Sequence, residues 1–543
     1  MSIFQRKPLH VLLNQSKESG EHTLKKTLGA YKLIALGLGA IIGAGLFSIT
    51  GMAAGLYAGP AITVSFIIAA AGCCFAGLCY AEFASMLPIA GSAYTYSYAT
   101  LGEFIAWVIG WDLVLEYAVG ALTVSISFSV YLVKFLEGLG IHFPHALSTC
   151  PMDGGIVNIP SALIVIFLSL LLISGTESSS KVNSVIVALK VAVVLIFIGV
   201  GWQFINTDNY IPYIPENTGT WGSFGFSGII RGAAIVFFAF IGFDAVSTAA
   251  QETKNPKRDM PIGILGALFV CTILYVLFSH VLTGVANYTQ FQGSTGIAPI
   301  AVAIDNMGTA LPDGTIQPAF PWLNKAIILA ILAGYSSVIL VMLLGQSRVF
   351  YTMSRDGLLP GIFSQVHRKF RTPYKSNLLF LAAISILAMF VPARVAGELT
   401  SIGTLFAFII VCMGILVMRK KMPDAPRGFK TPWVPFVPVL GIGVCLFMMV
   451  FLPFDTWIRL ILWMLFGHNI YTFYGSKHSK LGVSHSIRTL PLIGIGISLL
   501  LTGFVLVHQT QIGWHENTGF AVTLLVIALA HIVLYGVKLI RKV

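Results

Sequence analysis

The chain has 543 residues, of which 56% are hydrophobic and only 10% charged, and its mean hydropathy is +0.86. Soluble domains carry about 25% charged residues, so a soluble class is excluded and many spans of about 20 residues each can be accommodated. A net charge of +12 can signal nucleic-acid binding, but the placement of the basic residues decides that point below. Of the seven cysteines, Cys73, Cys74, Cys79, Cys271, Cys412 and Cys445 lie in apolar runs and only Cys150 lies in a loop. No disulfide framework and no metal-ligand spacing follow from such a pattern.

About thirty mostly polar residues precede the first apolar run, so no cleavable signal is expected. Fourteen candidate spans then follow: 33–54, 60–86, 104–133, 157–174, 183–205, 227–250, 261–286, 324–347, 377–393, 399–418, 434–453, 457–474, 489–508 and 519–540. The uncharged, Tyr- and Ser-rich loop at 87–103 is expected to lie at the interface as a short helix. With the N-terminus in the cytoplasm, 27 of the 33 Lys and Arg fall in inward-facing segments. Five face outward (Lys134, Arg231, Lys325, Arg394, Arg459) and Lys190 is left inside the membrane. That bias is the positive-inside rule. It places the basic loops against the negative inner leaflet and removes nucleic acid as a partner.

Two spans carry breaks. The first reads Gly37-Leu-Gly-Ala-Ile-Ile-Gly-Ala-Gly45 and the second Phe237-Phe-Ala-Phe-Ile-Gly-Phe-Asp244. Hydrocarbon offers no partner for freed backbone groups, so such breaks are tolerated only where they line a cavity or bind something. Paired breaks in two halves of a chain point to the binding site of a secondary transporter. Gly39-x-x-x-Gly43 also fits plain close helix packing, but each helical glycine costs about 1 kcal/mol relative to Ala. An unwound stretch over Ile42, Gly43, Ala44 and Gly45, with a half-helix starting near Leu46, offers free amides and a positive dipole end to a carboxylate. A half-helix ending near Phe240 offers carbonyl oxygens to an ammonium group. The two together describe an α-amino acid zwitterion. Asp244 is expected to act as the N-cap of the following half-helix.

Three further charges stand out. Lys190 lies about eight residues into the fifth span, roughly 10–12 Å from its inner end. Its stem either snorkels back to the interface or holds an ammonium beside the broken helix, where desolvation suits it to loading and releasing a proton. Asp112 and Glu116 share a face at i and i+4 of the third span. Asp112 is expected at the inner end and solvated. Glu116, deeper, either lines the cavity or bonds neighbouring helices. Glu82 is expected near the inner end of the second span as a structural or gating contact.

The motifs now form a recognisable series. It comprises Ile41-Ile-Gly-Ala-Gly-Leu-Phe47, Tyr80-Ala-Glu-Phe-Ala-Ser-Met-Leu-Pro88, Gly91-Ser-Ala-Tyr-Thr-Tyr-Ser-Tyr98 and Gly110-Trp-Asp-Leu-Val-Leu-Glu116. It continues with Phe240-Ile-Gly-Phe-Asp-Ala-Val-Ser247, Asn255-Pro-Lys-Arg-Asp-Met-Pro261, Arg348-Val-Phe-Tyr-Thr-Met-Ser-Arg-Asp-Gly-Leu-Leu-Pro360 and Pro426-Arg-Gly-Phe-Lys-Thr-Pro432. The chain resembles the amino acid–polyamine–organocation superfamily and, within it, the cationic amino acid transporter subfamily. The resemblance implies an all-α membrane protein with a LeuT-like 5+5 inverted repeat and four peripheral helices. It divides the chain into a cytoplasmic segment at 1–32, a first repeat at 33–205 (spans 1–5), a second repeat at 227–418 (spans 6–10) and spans 11–14 at 434–543 with a short cytoplasmic C-terminus.

The resemblance further implies that the substrate carboxylate meets backbone at Ile42, Gly43, Ala44 and Gly45. The ammonium would meet carbonyls around Ile41, Phe238, Ala239 and Ile241, and Phe238 and Phe243 would close the site from outside. Lys190 matches the lysine that replaces a sodium ion in proton-coupled members. One departure is Gln251-Glu252, where relatives often carry two acidic residues. The resulting expectation is a secondary transporter, not an enzyme, importing L-amino acids across the plasma membrane by proton symport, with no cofactor beyond the coupling proton. An exchanger, a uniporter or a transporter-like sensor are the other readings. The expected partners are the amino acid and membrane lipid, with the chain a monomer and a small membrane-protein partner compatible with it.

Overall fold

The computed structural model describes residues 4–8, 28–89, 91–173, 179–250, 253–292, 298–310, 316–367, 370, 372–481, 489–512 and 518–540. Gln251 and Glu252 lie outside the described residues. The described chain is helical almost throughout. Every expected span has a helical counterpart: α1 Ala30–Ile41, α2 Ile62–Met86, α4 Glu103–Val114 with α5 Gly120–Glu137, α6 Ile159–Ile173 and α7 Ser179–Gly201. There follow α8 Gly225–Val236, α9 Pro256–Val285, α10 Pro321–Arg355, α11 Tyr374–Phe390, α12 Ala393–Lys421, α13 Phe436–Val450, α14 Phe454–Ile470, α15 Thr489–Ile512 and α16 Thr518–Ile540. The short helix expected in the loop at 87–103 is α3, Ser92–Thr100, but it is buried along its whole length rather than lying at the surface. By length and apolar composition alone, nine described helical stretches can cross a bilayer, or ten if the sharply bent pair α13–α14 counts as one. The first of these, Gly45–Met86, runs 42 residues because helix-like turns continue through the corner at Gly59 and Pro60.

The only strands among the described residues are a short antiparallel ribbon in which Gly308–Ala310 pairs with Ile316–Pro318, Thr309 facing Gln317. The spans start and stop for local reasons. Pro256 and Pro321 occupy the first turns of α9 and α10, where no intrahelical N–H is needed. Pro392 and Pro453 immediately precede α12 and α14.

Apolar side chains such as Leu163, Phe167 and Leu170 of α6 and Phe269 of α9 remain exposed on helix flanks. Water would penalise that surface and hydrocarbon does not. The helices pack in two groups. In one, α9 runs along α1 and α2, and α8 leans on α2; in the other, α10 packs on α5, and α6 on α5 and α11. The two broken spans cross where these groups meet.

Candidate functional site at the crossing of two broken helices

Helix α1 ends at Ile41, and Ile42 leaves the helix with φ −71° and ψ 107°, its N–H still bonded to Leu38 O. The second half begins at once as a π-turn, Gly45–Ile49, anchored by bonds from the Leu46 and Phe47 amides to Gly43 O at 3.1 and 3.2 Å. The unwinding is therefore shorter than the four residues expected from the glycines, and it is confined to Ile42 and Gly43. The amides of Gly43, Ala44 and Gly45 precede the first bonds of the new half-helix, so they are its orphan donors. Wide π-turns of this kind recur at functional sites.

In the other broken span, α8 tightens into a 3-10 turn, Phe237–Phe240, and Ile241 turns away with ψ 137°. Gly242 sits at φ +110°, and a Cβ there would stand 3.0 Å from the carbonyl of Ala40. Only glycine combines that dihedral with that approach. The closest contact of the two breaks is at Gly45, where an added Cβ would lie 2.2 Å from Ala239 Cα. Thus Ile41, Ile42, Gly43, Ala44, Gly45, Phe238, Ala239 and Ile241 do converge, and all are buried.

One residue the sequence did not single out ties the breaks together. Tyr275, midway along α9, directs its hydroxyl at Ile41 O (3.0 Å) and Ala239 O (2.9 Å). A carbonyl oxygen has two lone pairs, so both acceptors keep capacity for an ammonium group. The only signal for Tyr275 in the sequence is a hydroxyl at mid-span in an apolar run, which hydrocarbon cannot satisfy.

Lys190 is 1% exposed and donates from Nζ to Gly39 O at 2.8 Å. Its stem does not snorkel. It runs across Gly334 of α10, whose missing side chain leaves the channel: a Cβ there would lie 3.0 Å from Lys190 Cε. The ammonium therefore sits two residues upstream of the carbonyl that Tyr275 holds.

Three expectations about charges and rings are corrected. Asp244 makes no side-chain cap; its backbone is already in the α region, and its carboxylate turns to the third span. There Tyr117 Oη donates to Asp244 Oδ2 at 2.5 Å, and Glu116 lies fully buried beside Tyr117 in the π-turn Leu115–Val119. Neither carboxylate oxygen of Glu116 has a hydrogen-bond partner among the described residues. Asp112 is fully buried rather than solvated, because Gly403 of α12 leaves room for it. Neither of its carboxylate oxygens has a hydrogen-bond partner among the described residues. Phe243 does not close the outer side. It lies beyond the break on the side of the basic loops, with its ring 5.6 Å from Tyr80 and 4.9 Å from Phe408. The half-turn at Gly242 has already carried the chain past the crossing.

Glu82 belongs to the frame. Its carboxylate takes Arg419 through Nε at 2.9 Å and through a terminal nitrogen at 2.8 Å, Arg427 Nε at 3.0 Å and the Thr431 amide at 2.8 Å. This pins the segment after α12 to α2.

The fold defines a multi-pass helical membrane protein in which two broken spans cross. The amino acid permease family model matches residues 28–470, and the chain belongs to that family, within the amino acid–polyamine–organocation superfamily. It is a transporter and not an enzyme. Among its relatives, the branched-chain amino acid permease BcaP of Bacillus subtilis is 45% identical over 484 residues, 88% of this chain and 99% of the relative. The methylthioribose transporter of the same organism is 41% identical over 482 residues, 88% and 99% of the two chains. The vacuolar cationic amino acid transporter 4 of Arabidopsis thaliana is 31% identical, covering 87% and 96%.

Proposed function

We propose that this permease imports L-amino acids across the plasma membrane by alternating access, as a proton symporter with its termini in the cytoplasm. The proposed frame is the LeuT-like inverted repeat of 33–205 and 227–418, with 434–543 peripheral. The observation that carries the reading is the crossing itself: orphan amides at Gly43, Ala44 and Gly45 stand beside carbonyl ends at Ile41, Phe238, Ala239 and Ile241. Backbone of opposite polarity at two helix ends fits the carboxylate and ammonium of one zwitterion. Lys190 on Gly39 O is the proposed proton site: a charged ammonium steadies α1 against α7, and its deprotonation loosens that tie. Phe238 remains the proposed aromatic closure on the outer side.

The buried apolar residues Phe238, Ile241 and Val338 at the crossing favour an apolar substrate. A cationic substrate is the second reading. It is favoured by Glu116, whose oxygens have no cationic partner among the described residues. The test is uptake into proteoliposomes of labelled leucine, isoleucine, valine, lysine, arginine and methylthioribose. Uptake of the three branched amino acids alone supports the first reading and uptake of lysine or arginine the second. Uptake of methylthioribose alone refutes the zwitterion site.

A further inference from the structure

Ahead of the first span, the described residues 4–8 and Leu28 each contact the helical body. Residues 4–8 lie across α3, the start of α4 and the end of α10. Lys7 Nζ pairs with Asp356 Oδ1 at 2.9 Å, both side chains about one-eighth exposed. Tyr94 Oη of α3 donates to the other oxygen of Asp356 at 2.8 Å. The backbone joins as well: the Lys7 amide donates to Tyr98 O at 3.2 Å and the Glu103 amide to Gln5 O at 2.9 Å. Gly102 is shaped for this contact. Its φ is +105°, and a Cβ there would lie 2.3 Å from Phe4 O. Further along, Leu28 O accepts from the Lys254 amide at 2.9 Å, just ahead of α9. Residues 4–8 thus touch α3, α4 and the end of α10, and Leu28 touches the chain just ahead of α9.

Helix α3 is buried along its whole length and reaches the second half of the broken sixth span, where Ser247 Oγ donates to Ser92 Oγ at 3.0 Å. Tyr96 of α3 stacks on Phe83 with 4.9 Å between ring centres and meets Tyr80 edge-on. On the side of the basic loops, α3 is therefore the element wedged between the two helix groups.

The geometry points to residues 4–8 as a latch that clamps α3 and holds this side of the transporter closed. Opening toward the basic loops requires Ser247 to leave Ser92, and residues 4–8 oppose it by fixing α3 through Asp356, Tyr98 and Glu103. The inference rests on the alternating-access reading above, but not on proton coupling or on the identity of the substrate.

Its test is thiol labelling of the full-length protein carrying Ser247→Cys, with Cys74→Ser to silence the exposed native thiol. A membrane-impermeant methanethiosulfonate is applied from the side of the basic loops. Deletion of residues 2–8 and Lys7→Ala should each speed labelling about fivefold, the factor expected from one ion pair that keeps contact with solvent. Lys7→Arg should keep the parental rate, and the melting temperature should hold in all three variants. A labelling rate unchanged in the deletion overturns the latch. So does faster labelling in Lys7→Arg equal to that in Lys7→Ala, or faster labelling accompanied by general thermal destabilisation. Uptake without a proton gradient bears only on the coupling mode and leaves this readout intact.

Discussion

Gly45→Ala adds one methyl group at the point where the two broken spans touch. The new Cβ would stand 2.2 Å from Ala239 Cα, 2.6 Å from its Cβ and 2.7 Å from its amide nitrogen. Ordinary carbon contacts lie at about 3.5–4.0 Å, so the breaks must separate by roughly an ångström or more. No rotamer can yield, because the opposing atoms are the backbone of Ala239 and its Cβ, which has no torsion to turn. Overpacking typically costs about 1–3 kcal/mol, and a backbone clash belongs at the upper end, which is about a hundredfold in affinity. The matched control is Gly199→Ala in α7, where nothing lies within 4 Å of the added methyl. That change should leave affinity within about twofold while slightly favouring the helix. Equilibrium binding of labelled substrate to purified protein measures both. If Gly45→Ala binds as tightly as Gly199→Ala, the two breaks do not form one ligand site and the reasoning from their contact fails.

Other outcomes follow from neighbouring contacts. Tyr275→Phe removes the hydroxyl shared by Ile41 O and Ala239 O while keeping the ring against Phe240 and Phe66. Leaving two buried carbonyls short of a donor costs about 1–3 kcal/mol, so KM should rise about tenfold in uptake assays. Gly43→Val meets Val338 in the space assigned to the substrate carboxylate and should abolish saturable binding in the same assay. Glu82→Gln takes the charge from a carboxylate holding two arginines and should lower stability by about 3 kcal/mol. Scanning fluorimetry should report this as a fall in Tm, with substrate selectivity unchanged.

The breaks were legible because glycine is costly in a helix: the first carries Gly39, Gly43 and Gly45, and the second carries Gly242 just ahead of Asp244. The span order was legible from hydropathy and from the basic loops. Depth was less so. Asp112 lies about two turns into α4, where sequence spacing suggests an edge, yet Gly403 on a distant helix makes room to bury it. Asp244 matched the capping pattern, but a cap depends on the dihedral of the capping residue, which no single sequence prints. Tyr275 and Tyr117 were missed because a tyrosine in an apolar span looks like packing until its hydroxyl partners are known. The docking of residues 4–8 was hidden for a related reason. Its partners at Tyr98, Gly102 and Asp356 are separated from it by most of a hundred residues or more, and only Gly102 is marked by a residue type the contact requires.

The central claim is that amino acid binding at the crossed breaks is linked to a proton at Lys190. It is tested most directly by leucine uptake into proteoliposomes with and without an acid-outside gradient, for the native protein and for Lys190→Met, which keeps the stem along Gly334 without the ammonium. The account predicts concentrative, gradient-driven uptake for the native chain. For Lys190→Met it predicts loss of accumulation with substrate binding retained. Accumulation in Lys190→Met equal to that of the native protein would contradict it.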